Sequence, residues 1–138
     1  MSFVCCEIKP TLLPVSTCIT TDVSGSSTTG EITSQPVYID LTQAPFRRRC
    51  LTASAPVTVA DSGTINLTLY LYRQGSDTPI DSLVLTQGID EGLSAALTPV
   101  LVNQVNPGVY YAQLRIVGST PNVSGRINIT ASVTSLVV

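Results

Sequence analysis

Four cysteines, Cys5, Cys6, Cys18 and Cys50, carry the most distinctive chemistry in this sequence, which contains no histidine. The missing histidine removes the commonest general base and the commonest metal ligand. Successive side chains of an extended segment face opposite sides. Cys5 and Cys6 therefore point apart, and a disulfide between them would strain the short backbone that joins them. The geometry favours two different partners, and an extended arm can carry the two thiols to two other subunits. Four cysteines allow three pairings within one chain, and the sequence does not choose among them. Reduced cysteines acting as small buried apolar side chains are the plain alternative. A zinc site would want CxxC-like pairs or histidines, and a redox centre would want C-x-x-C at a helix start. Neither pattern is present, so no metal or other cofactor is expected.

Three further groups invite a chemical reading. Arg47, Arg48 and Arg49 run directly into Cys50. On a strand they are alternating side chains, with Arg48 facing opposite to its neighbours. As a functional group they would form an intersubunit charge contact with acidic residues such as Asp90 or Glu91. Asp61-Ser62-Gly63 matches the active-site turn of aspartic proteases, and Ile116-Val117-Gly118 resembles the segment that supports such a loop. Asp-Ser-Gly is equally an ordinary turn between strands, and no enzyme is expected. Tyr70, Tyr72 and Tyr111 fall on the polar side of alternating runs, where cross-strand packing is the first reading and a carbohydrate platform the second. The net charge is -2 with only seven basic residues, so no nucleic-acid partner is expected.

These groups need a scaffold, and the scaffold signal is period two. Ile65, Leu67, Leu69 and Leu71 alternate with polar or tyrosine positions; so do Tyr110, Ala112, Leu114 and Ile116, and Ile127, Ile129, Ala131 and Val133. Such alternation marks half-buried strands. Residues 37–41, 57–59 and 83–85 repeat the pattern briefly, and 16–21 and 46–53 are weaker candidates. Turn residues cluster at 61–63, 74–77, 106–108 and 118–122. The expected fold is all-β, an antiparallel jelly-roll sandwich over residues 16–138, with residues 1–15 an extended N-terminal arm that carries Pro10 and Pro14. Residues 22–35 read as a surface loop. Residues 87–105 are ambiguous: Asp90 could cap a short helix through Leu97, or Leu97 to Val105 is another strand. Charged residues make up only 12% of the chain, about half the usual share, which suits a protein that packs against copies of itself. No run approaches a membrane span of about 20 apolar residues, and no Sec signal is evident at the N-terminus.

Phe3-Val4-Cys5-Cys6 followed by Cys18 resembles the N-terminal connector of the endospore-appendage pilins of Bacillus-type spore formers. That connector carries an apolar residue, a Cys-Cys pair and a third cysteine about a dozen residues on, where the globular domain begins. Here eleven residues separate Cys6 from Cys18. The resemblance implies an eight-stranded jelly roll joined laterally by edge-strand augmentation into a helical fibre outside the cell, on the spore surface. It further implies that Cys5 and Cys6 form intermolecular disulfides with cysteines of other copies' domains. Cys18 matches the cysteine at the domain start. Cys50 departs from the family, whose fourth cysteine lies on a late strand, since residues 51–138 contain no cysteine. The implied partners are other copies of the chain, related pilin subunits or a spore-surface anchor. The alternative function is a non-filamentous jelly-roll binding or shell protein, lectin-like or of the spore coat.

Overall fold

Alternating apolar residues require two layers, because each strand can bury only one face. The computed structural model, which describes residues 17–42 and 49–133, satisfies that demand with two antiparallel sheets. Eleven strand segments follow in order: β1 (Thr17–Ser26), β2 (Glu31–Thr33), β3 (Val37–Asp40), β4 (Arg49–Ser54), β5 (Val57–Ala60), β6 (Gly63–Arg73), β7 (Asp81–Ile89), β8 (Ser94–Leu97), β9 (Val100–Val105), β10 (Val109–Val117) and β11 (Asn122–Val133). There is no helix among the described residues, and thus none long and apolar enough to cross a membrane.

Three pairs of segments are single strands broken at a proline. β4 and β5 lie end to end along one side of β11, parted by Ala55-Pro56. β8 and β9 continue that line on the far side of β5 and β4, parted by Thr98-Pro99. β2 and β3 lie end to end along β10, parted by Ser34-Gln35-Pro36. Proline has no N–H to give the ladder, so it stands where pairing lapses. The breaks are held by substitute bonds. Ala55 N–H donates to the Pro99 carbonyl at 3.1 Å, and Leu114 N–H donates to the Ser34 hydroxyl at 3.0 Å. Counting each broken pair once, the first sheet runs β1, β11, β4/β5, β9/β8 and the second runs β2/β3, β10, β6, β7. Two facing sheets of four positions form the jelly roll that the sequence predicts.

The core lies between the sheets. Leu67, Leu69 and Leu71 of β6, Leu114 and Ile116 of β10, Leu51 and Ala53 of β4, and Ile127 and Ile129 of β11 are buried. Each large aliphatic side chain removed from water stabilises the fold by about 1.5–3 kcal/mol.

Two expectations need correction. Residues 22–35 are not one loop: β1 pairs with β11 through Ser26, and β2 begins at Glu31. The polar composition of 22–26 hid a strand whose hydrogen bonds come from β11 rather than from its own pattern. The helix alternative over 90–97 also fails. Leu93 N–H closes a turn onto the Asp90 carbonyl at 3.0 Å, and Ser94-Ala95-Ala96-Leu97 pairs with β5. Its helix-prone residues yield to tertiary pairing.

β11 passes close to the Pro56 break at Gly125. A Cβ there would lie 2.6 Å from Val57 Cα and would also meet the Pro56 carbonyl oxygen. Gly88, by contrast, has open space around it. Gly125→Ala is therefore expected to cost about 1–3 kcal/mol, and Gly88→Ala less than about 0.5 kcal/mol. Urea denaturation of both variants checks this, and equal midpoints would refute the close approach.

Candidate assembly site

A two-sheet sandwich leaves its edge strands with unpaired backbone groups, a template for another chain. The edges here are β1 and β8/β9 in the first sheet and β2/β3 and β7 in the second. Five exposed large apolar side chains sit on them: Ile19, Tyr38, Val84, Val100 and Val102. Proteins usually blunt edges with charge. β1 carries Asp22, β2 Glu31, β3 Asp40 and β7 Asp81, but no residue from Ser94 to Val105 is charged. Among the described residues the β8/β9 edge thus carries the least charge of its own, the Asp81 carboxylate reaching it only at Asn103, and Val102 there is 58% exposed.

Two of the four cysteines fall among the described residues. Cys18 lies on β1 with its Cα opposite Thr130, and Thr130 is in turn opposite Thr52. Cys50 lies on β4, half-buried and unpaired, between Ser132 of β11 and Gln104 of β9. Cys18 and Cys50 are therefore two strands apart and two residues out of line, roughly 12 Å between Cα atoms at standard sheet spacings. A disulfide needs less than about 7 Å, so these two do not pair within one chain. Cys50 stands beside the last strand although it comes early in the sequence. Cys5, Cys6, Arg47 and Arg48 lie outside the described residues. Arg49 begins β4, opposite Val105 and Val133, and its Nε is buried with no hydrogen-bond partner among the described residues. Those residues contain no group of three or more His, Cys, Asp or Glu placed to hold a metal.

The tyrosines form a row across three strands. Tyr111 is opposite Tyr38 on one side and Tyr72 on the other. Its ring stacks on Tyr72 at 4.9 Å and 14°, and meets Tyr38 at 5.0 Å and 43°. A sugar platform needs ring faces turned to solvent. Tyr111 has both faces engaged by neighbours, which is cross-strand packing.

Asp61 is the most heavily bonded carboxylate among the described residues. It is nearly buried, and it accepts N–H bonds from Ser62 at 2.7 Å, Ser119 at 2.9 Å and Thr120 at 3.1 Å, with the Thr120 hydroxyl at 3.3 Å. It ties the β5–β6 turn to the β10–β11 turn. Gly118 makes room for it, since a Cβ there would strike the Asp61 carboxylate and Ile65. The Asp-Ser-Gly turn and the Ile116-Val117-Gly118 segment do meet, but the carboxylate's oxygens are taken up by backbone donors. Sequence reading found both segments and missed the clamp; an acidic turn residue and a glycine at a second turn were its only signal.

No protein-family model and no curated protein matches the chain. Among solved structures, that of infectious bursal disease virus Gt strain matches with a TM-score of 0.58 at 18% identity, over 83% of this chain and 32% of that one. The VP2 subviral particle of the same virus matches with a TM-score of 0.52 at 18% identity, over 85% and 32%. The chain spans about a third of the length of those viral chains. The shared feature is the jelly-roll fold. A structure titled as Bacillus endospore appendages forming disulfide-linked pili aligns over 97% of this chain and all of that one, at 15% identity and a TM-score of 0.37. That score is too low to establish a common fold.

The Asp61 clamp has a signature in pH. Burial, the largest single influence, pushes its carboxyl up. The bonds from Thr120, Ser62 and Ser119 together outweigh that and hold it below its ordinary 3.8. A folded-state value below the unfolded one contributes stability that is complete above the unfolded value and fades as pH falls through the folded value. Asp61→Asn is expected to be less stable than the parent by about 1–3 kcal/mol near neutrality. The gap should shrink as the medium is acidified below the ordinary carboxyl value of 3.8. Urea midpoints across that range test it, and a gap independent of pH would exclude the clamp.

Proposed function

We propose that the chain is a self-assembling structural subunit of an extracellular helical fibre, a spore-surface appendage, crosslinked by disulfides from its N-terminal arm. The observation that carries this reading is the uncharged, valine-bearing β8/β9 edge. An edge of that kind recruits a strand from another copy. When the two contacting surfaces differ, the contact repeats head to tail without closing and generates a filament. The Cys5-Cys6 motif supports the second half of the reading. Cys18 and Cys50 stand too far apart to pair with each other within one chain, which is compatible with each taking an arm thiol of another copy. Each staple forms as two thiols release two protons and two electrons to dioxygen, or by exchange with a small disulfide. The proposed partners are copies of the chain, with related subunits or a surface anchor at the fibre ends.

A closed shell is the second reading. It is favoured by the jelly-roll likeness to the VP2 chain of a subviral particle. Negative-stain microscopy of the purified protein separates the two, filaments against closed particles, and monomers at high concentration would exclude both.

Two outcomes are expected if the fibre reading holds. Without reductant, boiled fibres should give a ladder or material too large to enter a gel, and reductant should collapse it to monomer. Cys5→Ser with Cys6→Ser should give monomer under both conditions, and an unchanged ladder from that double variant would refute arm stapling. Separately, Val102→Lys should leave folding within about 0.5 kcal/mol, since the side chain is exposed. It should raise the concentration needed for assembly about tenfold, the effect of losing ~1.4 kcal/mol per contact. Assembly at the parental concentration would remove the β8/β9 edge from the interface.

A further inference from the structure

The two ends of the sandwich differ in what they leave unpaired. At one end, Asn122 of β11 lies beside Ala60 and Ser26, and Ala60 lies beside Ser94. The turn from β7 to β8, Asp90-Glu91-Gly92-Leu93, is at this end. Asp90 and Glu91 are exposed, with no side-chain partner among the described residues. Leu93, 60% exposed, stands beside them. The other acids near this end are engaged, Asp61 by backbone donors and Glu31 by Arg115 at 2.7 Å. At the opposite end, Val133 of β11 lies beside Arg49, and Arg49 beside Val105. Arg49 Nε is buried there with no hydrogen-bond partner among the described residues, and Arg73 ends β6 nearby, over the Tyr110 ring at 5.8 Å and with one long bond of 3.5 Å to the Pro107 carbonyl. The acids of that end are Asp40, held by Thr42, Asp81, held by Asn103 and Ser82 N–H, and the exposed Asp77.

Asn122 and Val133 are the two ends of β11, so the arginine and the acidic turn are roughly 35 Å apart along the strands. They cannot meet within one chain. We infer that they meet between chains: the Asp90-Glu91 turn of one copy docks on the Arg49 end of the next, stacking copies along the strand direction. The contact rests on the fibre reading and adds a second axis to it, since edge pairing joins copies side by side and this one joins them end to end. It sets carboxylates beside the guanidinium of half-buried Arg49, and it covers Leu93. Identical ends would repel. These are complementary, so the stack has a direction.

Charge exchange tests it on the full-length protein. Asp90→Lys with Glu91→Lys should raise the assembly concentration about tenfold or more at low salt, with less effect at high salt, where exposed charges are screened. Arg49→Glu should do the same. Combining Arg49→Glu with Asp90→Lys and Glu91→Lys should restore assembly to within about threefold of the parent. Because Arg49 is half-buried, a circular-dichroism melt confirms that its variant folds, and Asp90→Asn with Glu91→Gln, wholly on the surface, gives an independent reading of the same contact. Fibres that form normally from the lysine or amide variants would overturn the end contact and leave the fibre reading intact. Failure of the triple variant to recover would overturn this pairing. A parent protein that forms no fibre would overturn both.

Discussion

The pairing of the first described strand with the last governs the rest of the molecule. β11 receives β1 along all ten residues of one side, from Thr17–Ala131 to Ser26–Asn122, and β4 and β5 along the other. The partners are separated by 96 to 114 residues, so this ladder closes only when most of the chain is present. Non-local pairing of this kind is slow to form because loop closure precedes the gain in contacts. It also decides geography. The chain enters β1 at Thr17, next to the end of β11, so Cys18, Cys50 and Arg49 share one end of the sandwich. The Asp90-Glu91 turn is left at the other. The polarity of the sandwich follows from which residues β11 brings together.

Much of the fold was legible in the sequence because the buried faces of β6, β10 and β11 follow strict alternation. What escaped was structure specified from outside the segment. Thr21 to Ser26 has few apolar residues, and its extended course is set by β11. Ser94 to Leu97 has helix-forming residues but an edge to fill beside β5. The prolines were visible, yet their meaning was not. Pro36 and Pro56 each mark a lapse within one strand rather than the end of a strand, because the neighbouring β10 or β11 continues past the break; Pro99 falls opposite the Pro56 break, where Ala55 N–H bonds its carbonyl.

The candidate site divides the same way. For Cys5 and Cys6, which lie outside the described residues, the expectation that they face apart rests on adjacency alone, for any extended chain. The setting of Cys50 is not readable in that way, since only strand register reveals that β4 brings it across from Ser132. Asp61 shows the limit from the other direction. A motif suggestive of catalysis is satisfied by three backbone donors from two turns, and no local pattern announces which turn will supply them.

Magnitudes explain why an assembly built on such edges would need a covalent element. The β9 edge offers six residues, Val100 to Val105, of which alternate ones face outward with their N–H and C=O. At about 0.5–1.5 kcal/mol net per hydrogen bond, the edge contributes a few kcal/mol. The exposed valines add about as much again if covered. Association costs an estimated 4–15 kcal/mol in lost translation and rotation, so edge pairing alone lies near break-even and stays reversible. A charged end contact chiefly sets direction and encounter rate rather than affinity. A disulfide removes the translational cost for every later contact by making it intramolecular. In that light a short open edge is an advantage. In such an assembly weak pairing would let misregistered copies separate before thiols oxidised, and only a register that brought an arm thiol to a cysteine would be made permanent.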